Sequence, residues 1–375
     1  MATYRVLMPY TESPNVKKVF TVEYTIEADD RASAQGKAET EFHAYTRYNS
    51  ASWVRILQPE GVRVWKLMPD LPQTARSIDA LRPHLASQDP DVLYNTLRAI
   101  GELEDASLAE AVLPLVRHAN AELAALTIET LGKLGQHAVL PDVLACWRDD
   151  AHPRLKACVL SAVGRLAVPS DPIQDVLARA LGDPDTRVRA NAVEVVERLR
   201  LPDAARMLLP LMHDEDNRVR ANVLKALWRS HDRRELVQAL EGMVADPNHW
   251  MRASAAFVLR HVDVDNRLDL LARLLDDSDP QVAGTAGTSL LAVDDPAAVP
   301  VLLALQLRQP ALVEAVRTRV LSFGARAWEP LLAWKPQDPA SRQLRGQLLD
   351  QLVADLQHDE GWFATLPWRW QRWRS

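Results

Sequence analysis

Five basic or titratable side chains recur almost evenly through the middle of this sequence. Lys133, Arg165, Arg198, Arg229 and His261 stand 31 to 33 residues apart, with Glu102 one similar step before them. A step of that length is one helical hairpin. The five therefore fall in one row, one per repeat, at roughly the ~10 Å spacing of packed helices. Such a row suits acidic side chains, a phosphate backbone or peptide carbonyls, which all offer oxygen to a cation. A polar column runs beside it, with Asn95, Asn191, Asn222, Ser254 and Thr285. A plainer reading makes the row a solvated face, because Glu129 with Lys133, and Glu194 with Arg198, are i,i+4 pairs of opposite charge. Arg165 follows Ser161 and Arg229 follows the cationic Lys225, so these two lack that compensation and form the stronger part of the row.

A third candidate lies near the end of the sequence. Trp362, Phe363, Trp368, Trp370 and Trp373 alternate loosely with Arg369, Arg372 and Arg374. Tryptophan and arginine dominate binding hot spots, and the same mixture suits a membrane surface. The competing reading folds this tail back over the last repeat, onto Trp328 and Trp334.

Catalytic constellations are missing from the sequence: no GxSxG, Walker loop, HExxH or GxGxxG in a strand-turn-helix setting. The ten histidines are dispersed, and only His249 beside Trp250 makes a local pair suited to a pocket. Cys146 and Cys158 stand outside any CxxC or histidine cluster, so neither a metal site nor a disulfide framework is expected. The sequence thus predicts no enzyme, no metal and no cofactor. With 47% hydrophobic and 25% charged residues, the composition is that of an ordinary globular chain. The net charge of −6 argues against a strongly basic nucleic-acid binder, though a local basic stripe remains compatible with it. Neither a secretory leader nor a transmembrane run is apparent, and a cytoplasmic location is expected.

Four segments follow from the patterning. Residues 1–70 read ββαββ. Val22, Tyr24 and Ile26 alternate with polar neighbours, Asp29 or Asp30 can cap a helix to about Tyr48, and Pro59-Glu60-Gly61 marks a turn between two further strands. Residues 74–335 repeat one phrase. It reads GDPDTRVRANAVEVVERL from Gly182, DEDNRVRANVLKALW from Asp214 and ADPNHWMRASAAFVL from Ala245. Eight apolar anchors head the copies, Val92, Leu123, Leu155, Val188, Val219, Met251, Val282 and Val313, at spacings of 31 to 33. Counted from each anchor, positions 0, +4, +5, +8 and +11 are mostly apolar, while +3, +6 and +10 fall on the opposite face. Residues 336–358 read as a capping helix and 359–375 as the tail.

The D-x-x-V-R-x-x-A core of the phrase resembles HEAT repeats, particularly the short bacterial kind also found in phycobilisome lyase-like proteins. The resemblance implies a mainly α, right-handed α-solenoid of about eight helical hairpins, here preceded by the small α+β domain. It also implies a role for Asp183, Asp185, Arg189, Asp214, Asp216, Arg220, Asp246 and Arg252, with Lys156, as a structural ladder between adjacent repeats rather than as ligand groups. The expected function is a non-catalytic scaffold or adaptor for another protein. The alternatives are a reader of nucleic acid or DNA lesions, and a tetrapyrrole lyase or chaperone.

Overall fold

The computed structural model describes residues 1–13, 19–49, 54–68, 78–169 and 171–356. Two compact units make up the chain, Met1–Met207 and Leu208–Ser375.

In the first unit, period-two alternation forms two long strands, β1 (Ala2–Ser13) and β2 (Val19–Ala28). They pair antiparallel, with Tyr4 opposite Ile26 and Tyr10 opposite Phe20. Helix α1 (Arg31–Asn49) follows. The Asp30 carboxylate caps it, accepting from the Ser33 N–H at 2.7 Å, and this bond holds the Asp30 carboxyl below the usual carboxylate range. Strands β3 (Val54–Leu57) and β4 (Arg63–Lys66) lie end to end along the other edge of β1, both antiparallel to it. The chain turns between them at Pro59–Gly61, where a Cβ on Gly61 would run into the Pro9 ring. One face of β1, made of Tyr4, Val6, Met8 and Tyr10, packs on Ala34, Ala38 and Phe42 of α1. The ββαββ order is as the sequence predicts.

Paired helical segments follow. The second helices of the first four repeats are α2 (Pro90–Leu103), α3 (Ala121–Leu134), α4 (Pro153–Leu166) and α6 (Thr186–Leu199). In the fourth repeat the first helix is α5 (Gln174–Leu181). Before it the first segments are short and part 3₁₀, as at Arg82–Ala86 and Leu113–Arg117. Pro83 and Pro114 sit in the first turn of those pieces and supply no N–H to an α-helical ladder.

The acidic phrase is a set of N-caps. Asp89, Asn120, Asp185, Asp216, Asn248 and Asp279 each accept the backbone N–H two residues on, at 2.8 to 2.9 Å. Proline at the first helical position, as in Pro90 and Pro280, gives up an N–H that lacks an intrahelical partner there.

The second unit contains α7 (Asn217–Leu227), α8 (Arg233–Val244), α9 (His249–His261), α10 (Arg267–Leu275), α11 (Pro280–Ala292), α12 (Val299–Arg308), α13 (Val313–Ser322) and α14 (Pro339–Leu356). Helix α14 packs on α13 and on the short helix Trp328–Ala333. Arg345 there donates to the Trp334 carbonyl at 2.8 Å. The predicted core register holds where it is cleanest, since Val188, Ala192, Val193, Val196 and Leu199 of α6 are all buried. The fold is mainly α, with one small sheet at its N-terminal end.

Candidate functional site

The second helices of the first unit meet through glycine. A Cβ on Gly132 of α3 would stand 2.8 Å from the Ala162 Cα of α4, closer than two carbons pack. The Thr130 hydroxyl of α3 donates to the Leu97 carbonyl of α2 at 3.2 Å. Each +9 glycine also lies under the +10 side chain of the following repeat. A Cβ on Gly101 would reach Lys133 Cδ at 3.4 Å, one on Gly132 would reach Arg165 Cδ at 3.6 Å, and one on Gly164 would reach Arg198 Cδ at 3.7 Å. The methylene stems thus run across the preceding helix.

Between α4 and α6 lies a cleft of about 270 Å³, lined by Ser161, Gly164, Arg165, Asn191, Glu194 and Arg198. Arg165 and Arg198 are exposed. Neither guanidinium has a hydrogen bond or ion pair among the described residues, so the Glu194–Arg198 neutralisation read from the spacing is not formed. The neighbouring cleft, of about 460 Å³, differs. It is bounded by β1, β2, α2, α3 and Arg154, and its cations are matched. Lys133 meets Glu129 at 2.9 Å as the sequence predicts, Arg154 meets Glu122 at 2.9 Å, Arg98 meets Glu102 at 3.8 Å and Arg5 meets Glu23. The open part of the row in this unit is therefore Arg165 with Arg198.

In the second unit Arg229 is exposed and makes no ion pair among the described residues, while Lys225 is half-buried. His261 is exposed and packs edge-on to Phe257, with ring centroids 4.7 Å apart. Phe257 was not singled out from the sequence. It stands at +6, where other repeats carry Ser161, Glu194 or Lys225, and it remains 38% exposed. That break in a polar column was the available signal.

The +3 column needs correction. Asn95 and Asn222 are each 7% exposed, and Ser254 accepts from the Asn217 amide at 2.7 Å. Counting turns on one helix puts +3 opposite the core, but at Asn95 the main chain of Lys66 and Met68 covers that face. Asn191 is half-buried and lines the open cleft between α4 and α6. Trp362, Trp368, Trp370 and Trp373 lie outside the described residues.

Two members of the ladder series, Lys156 and Arg252, bridge adjacent repeats. Lys156 Nζ lies 2.7 Å from Asp183, with both side chains buried, and also donates to the Asp149 carbonyl at 2.6 Å. Arg252 makes two bonds to Asp277, at 2.6 and 2.8 Å, and donates to the Asp246 carbonyl at 2.9 Å. Those bonds hold the Asp277 carboxyl below its usual range. Arg189 donates to the Asp183 carbonyl at 2.8 Å, and Arg220 donates to the Asp214 carbonyl. Asp185 and Asp216 serve as helix caps.

An ion pair, two amide hydrogen bonds and a ring stack seat the sheet on the first repeat. Arg31 pairs with the buried Asp91, and the Asn95 amide donates to the Lys66 carbonyl at 2.8 Å while its oxygen accepts from the Met68 N–H at 3.1 Å. Trp65 stacks on Tyr94 with centroids 4.5 Å apart.

Among the described residues no group of three His, Cys, Asp or Glu is placed to hold a metal, and no helix is long and apolar enough to cross a membrane. His249 and Trp250 pack at 4.7 Å. Burial pushes the Cys158 thiol up to about 11.

The HEAT repeats family model matches residues 78–164, 173–260 and 236–322, well over half of the chain, and the chain belongs to that family. Similar solved structures include YibA of Escherichia coli, 18% identical with a TM-score of 0.43, over 71% of this chain and 98% of that one. A designed armadillo repeat protein is 20% identical with a TM-score of 0.33, over 52% of this chain and 100% of that one. The complex of CpcE and CpcF of phycocyanin lyase from Nostoc sp. PCC7120 is 18% identical with a TM-score of 0.39, over 65% of this chain and 94% of that one. Comparison with curated proteins found no match.

Proposed function

We propose that this chain is a non-catalytic adaptor that holds an acidic segment of a protein partner against the exposed face of its second helices. The observation that carries this reading is the cleft between α4 and α6. Two exposed guanidiniums, Arg165 and Arg198, line it with the Asn191 amide, the Ser161 hydroxyl and the Glu194 carboxylate, and neither guanidinium has a bond or ion pair among the described residues. Guanidinium groups in that state suit carboxylates, which they bind through paired N–H donors. An overall charge of −6 weighs against a long polyanion such as nucleic acid.

The test is a quantitative pull-down from the native cell using the wild type and the Arg165→Glu/Arg198→Glu variant. A protein retained by the wild type, lost by this variant and kept by an Arg206→Glu control supports the reading. Nucleic acid released by modest salt, or identical retention by all three chains, overturns it.

A further inference from the structure

A second cleft, of about 560 Å³, lies in the second unit and is lined by no residue of the cationic row. Its floor is Trp228, its long wall is Arg233, Arg234, Val237, Gln238 and Glu241 of α8, and its other wall is the 263–266 loop. Two polar atoms on this cleft are buried without a partner: the indole Nε1 of Trp228 and Oδ1 of Asn266. Trp228 is 5% exposed. A buried indole N–H or amide oxygen left unpaired forfeits the hydrogen bond it had with water, so such a pair beside a cleft calls for a ligand.

One unpaired donor and one unpaired acceptor match a single main-chain amide, which brings one carbonyl and one N–H. Val237, Val264 and the indole supply apolar walls for a neighbouring side chain. The lining carries three acids against two arginines, Arg233 and Arg234, one net negative charge. Glu241, Asp263 and Asp265 share the cleft, and Asp265 is exposed with no bond among the described residues. The cation nearest the floor is already engaged, because the Arg233 guanidinium lies 5.7 Å over the Trp228 ring and reaches the Asp263 carbonyl at 3.5 Å. Arg233 is exposed and covers the indole, so it is the group that swings aside for a ligand.

We infer that this cleft binds an extended peptide segment of a partner protein, with an apolar residue flanked by lysine or arginine. The apolar side chain enters between Val237 and Val264. The peptide carbonyl accepts from Trp228, its N–H donates to Asn266, and the flanking cation faces Asp265. The site is independent of Arg165 and Arg198, and its ligand has the opposite charge.

The experiment follows the Trp228 indole N–H resonance of the full-length protein by NMR, assigned with Trp228→Phe. Three probes are titrated: acetyl-lysyl-leucyl-lysinamide, the same peptide with its leucine nitrogen methylated, and acetyl-glutamyl-leucyl-glutamamide. The basic peptide is expected to move the resonance saturably, with affinity at least several-fold above either other probe. Asp265→Lys, an exposed change, is expected to reduce that affinity several-fold while Arg165→Glu/Arg198→Glu leaves it unchanged. No movement, equal affinity for all three probes, or indifference to Asp265→Lys overturns the inference.

Discussion

Gly132 on α3 and Ala162 on α4 are set so close that a methyl group on the glycine would sit 2.8 Å from the alanine Cα. The contact is with backbone, which cannot rotate away. Gly132→Ala should therefore force α3 and α4 apart and destabilise by about 1–3 kcal/mol, despite alanine's better helix propensity. Gly242 on α8 provides the control, since a Cβ there meets nothing within 4 Å. Gly242→Ala should be neutral or stabilising by up to about 1 kcal/mol. Thermal melts of the two variants check this, and a Gly132→Ala melt equal to wild type would refute the packing argument.

Lys156 and Asp183 show the difference between a buried and an exposed ion pair. Their side chains are 6% and 5% exposed, against 35% and 40% for Lys133 and Glu129. Removing one member of a buried pair strands the other, at about 3–5 kcal/mol. Lys156→Met should cost in that range, and Lys133→Met about 0.5 kcal/mol or less. Urea unfolding of both variants measures the contrast.

Asp277 gives the ladder a pH signature. The side-chain hydrogen bond from Arg252 is the main cause that holds its carboxyl below the ordinary value of 3.8. A depressed folded pKa contributes stability that is fully present above the unfolded pKa and is lost as pH falls through the folded one. Arg252 stays charged throughout. Asp277→Asn should therefore lower stability at neutral pH and make the decline between pH 7 and about 3 shallower than in wild type. Unfolding curves at both pH values test this, and parallel losses in the two proteins would exclude the linkage.

The repeat period and the core register were legible because each is set within one hairpin. Asp185, assigned by the resemblance to the ladder between repeats, caps α6, because it stands three residues before Val188 within reach of the first N–H groups. The +3 asparagines misled for the opposite reason. Asn95 lies on the predicted face of α2, but its amide is spent on the main chain of Lys66 and Met68, a contact no helical period encodes. The glycines at +9 stayed silent likewise, since Gly101, Gly132 and Gly164 matter only through the backbone or side chain of the next repeat. Within the cationic row, spacing alone predicted Glu129–Lys133 correctly and Glu194–Arg198 incorrectly, because both are one turn apart and only packing decides which pair closes.

Arg165 and Arg198 therefore carry the decisive functional prediction. Their guanidiniums are exposed and make no ion pair within the described structure, so charge reversal breaks nothing internal. Exposed changes of this kind usually alter stability by no more than about 0.5 kcal/mol. Arg165→Glu/Arg198→Glu should melt near wild type yet lose partner affinity by at least tenfold, since two cations facing a carboxylate become two repelling anions. Lys133→Glu should weaken binding far less, because Glu129 already neutralises Lys133. Partner affinity measured at two salt concentrations separates the cases. The wild type should weaken with salt and the double variant should not. Equal losses for Lys133→Glu and the double variant would mean that the whole row contributes, and that the open cleft between α4 and α6 has no special part.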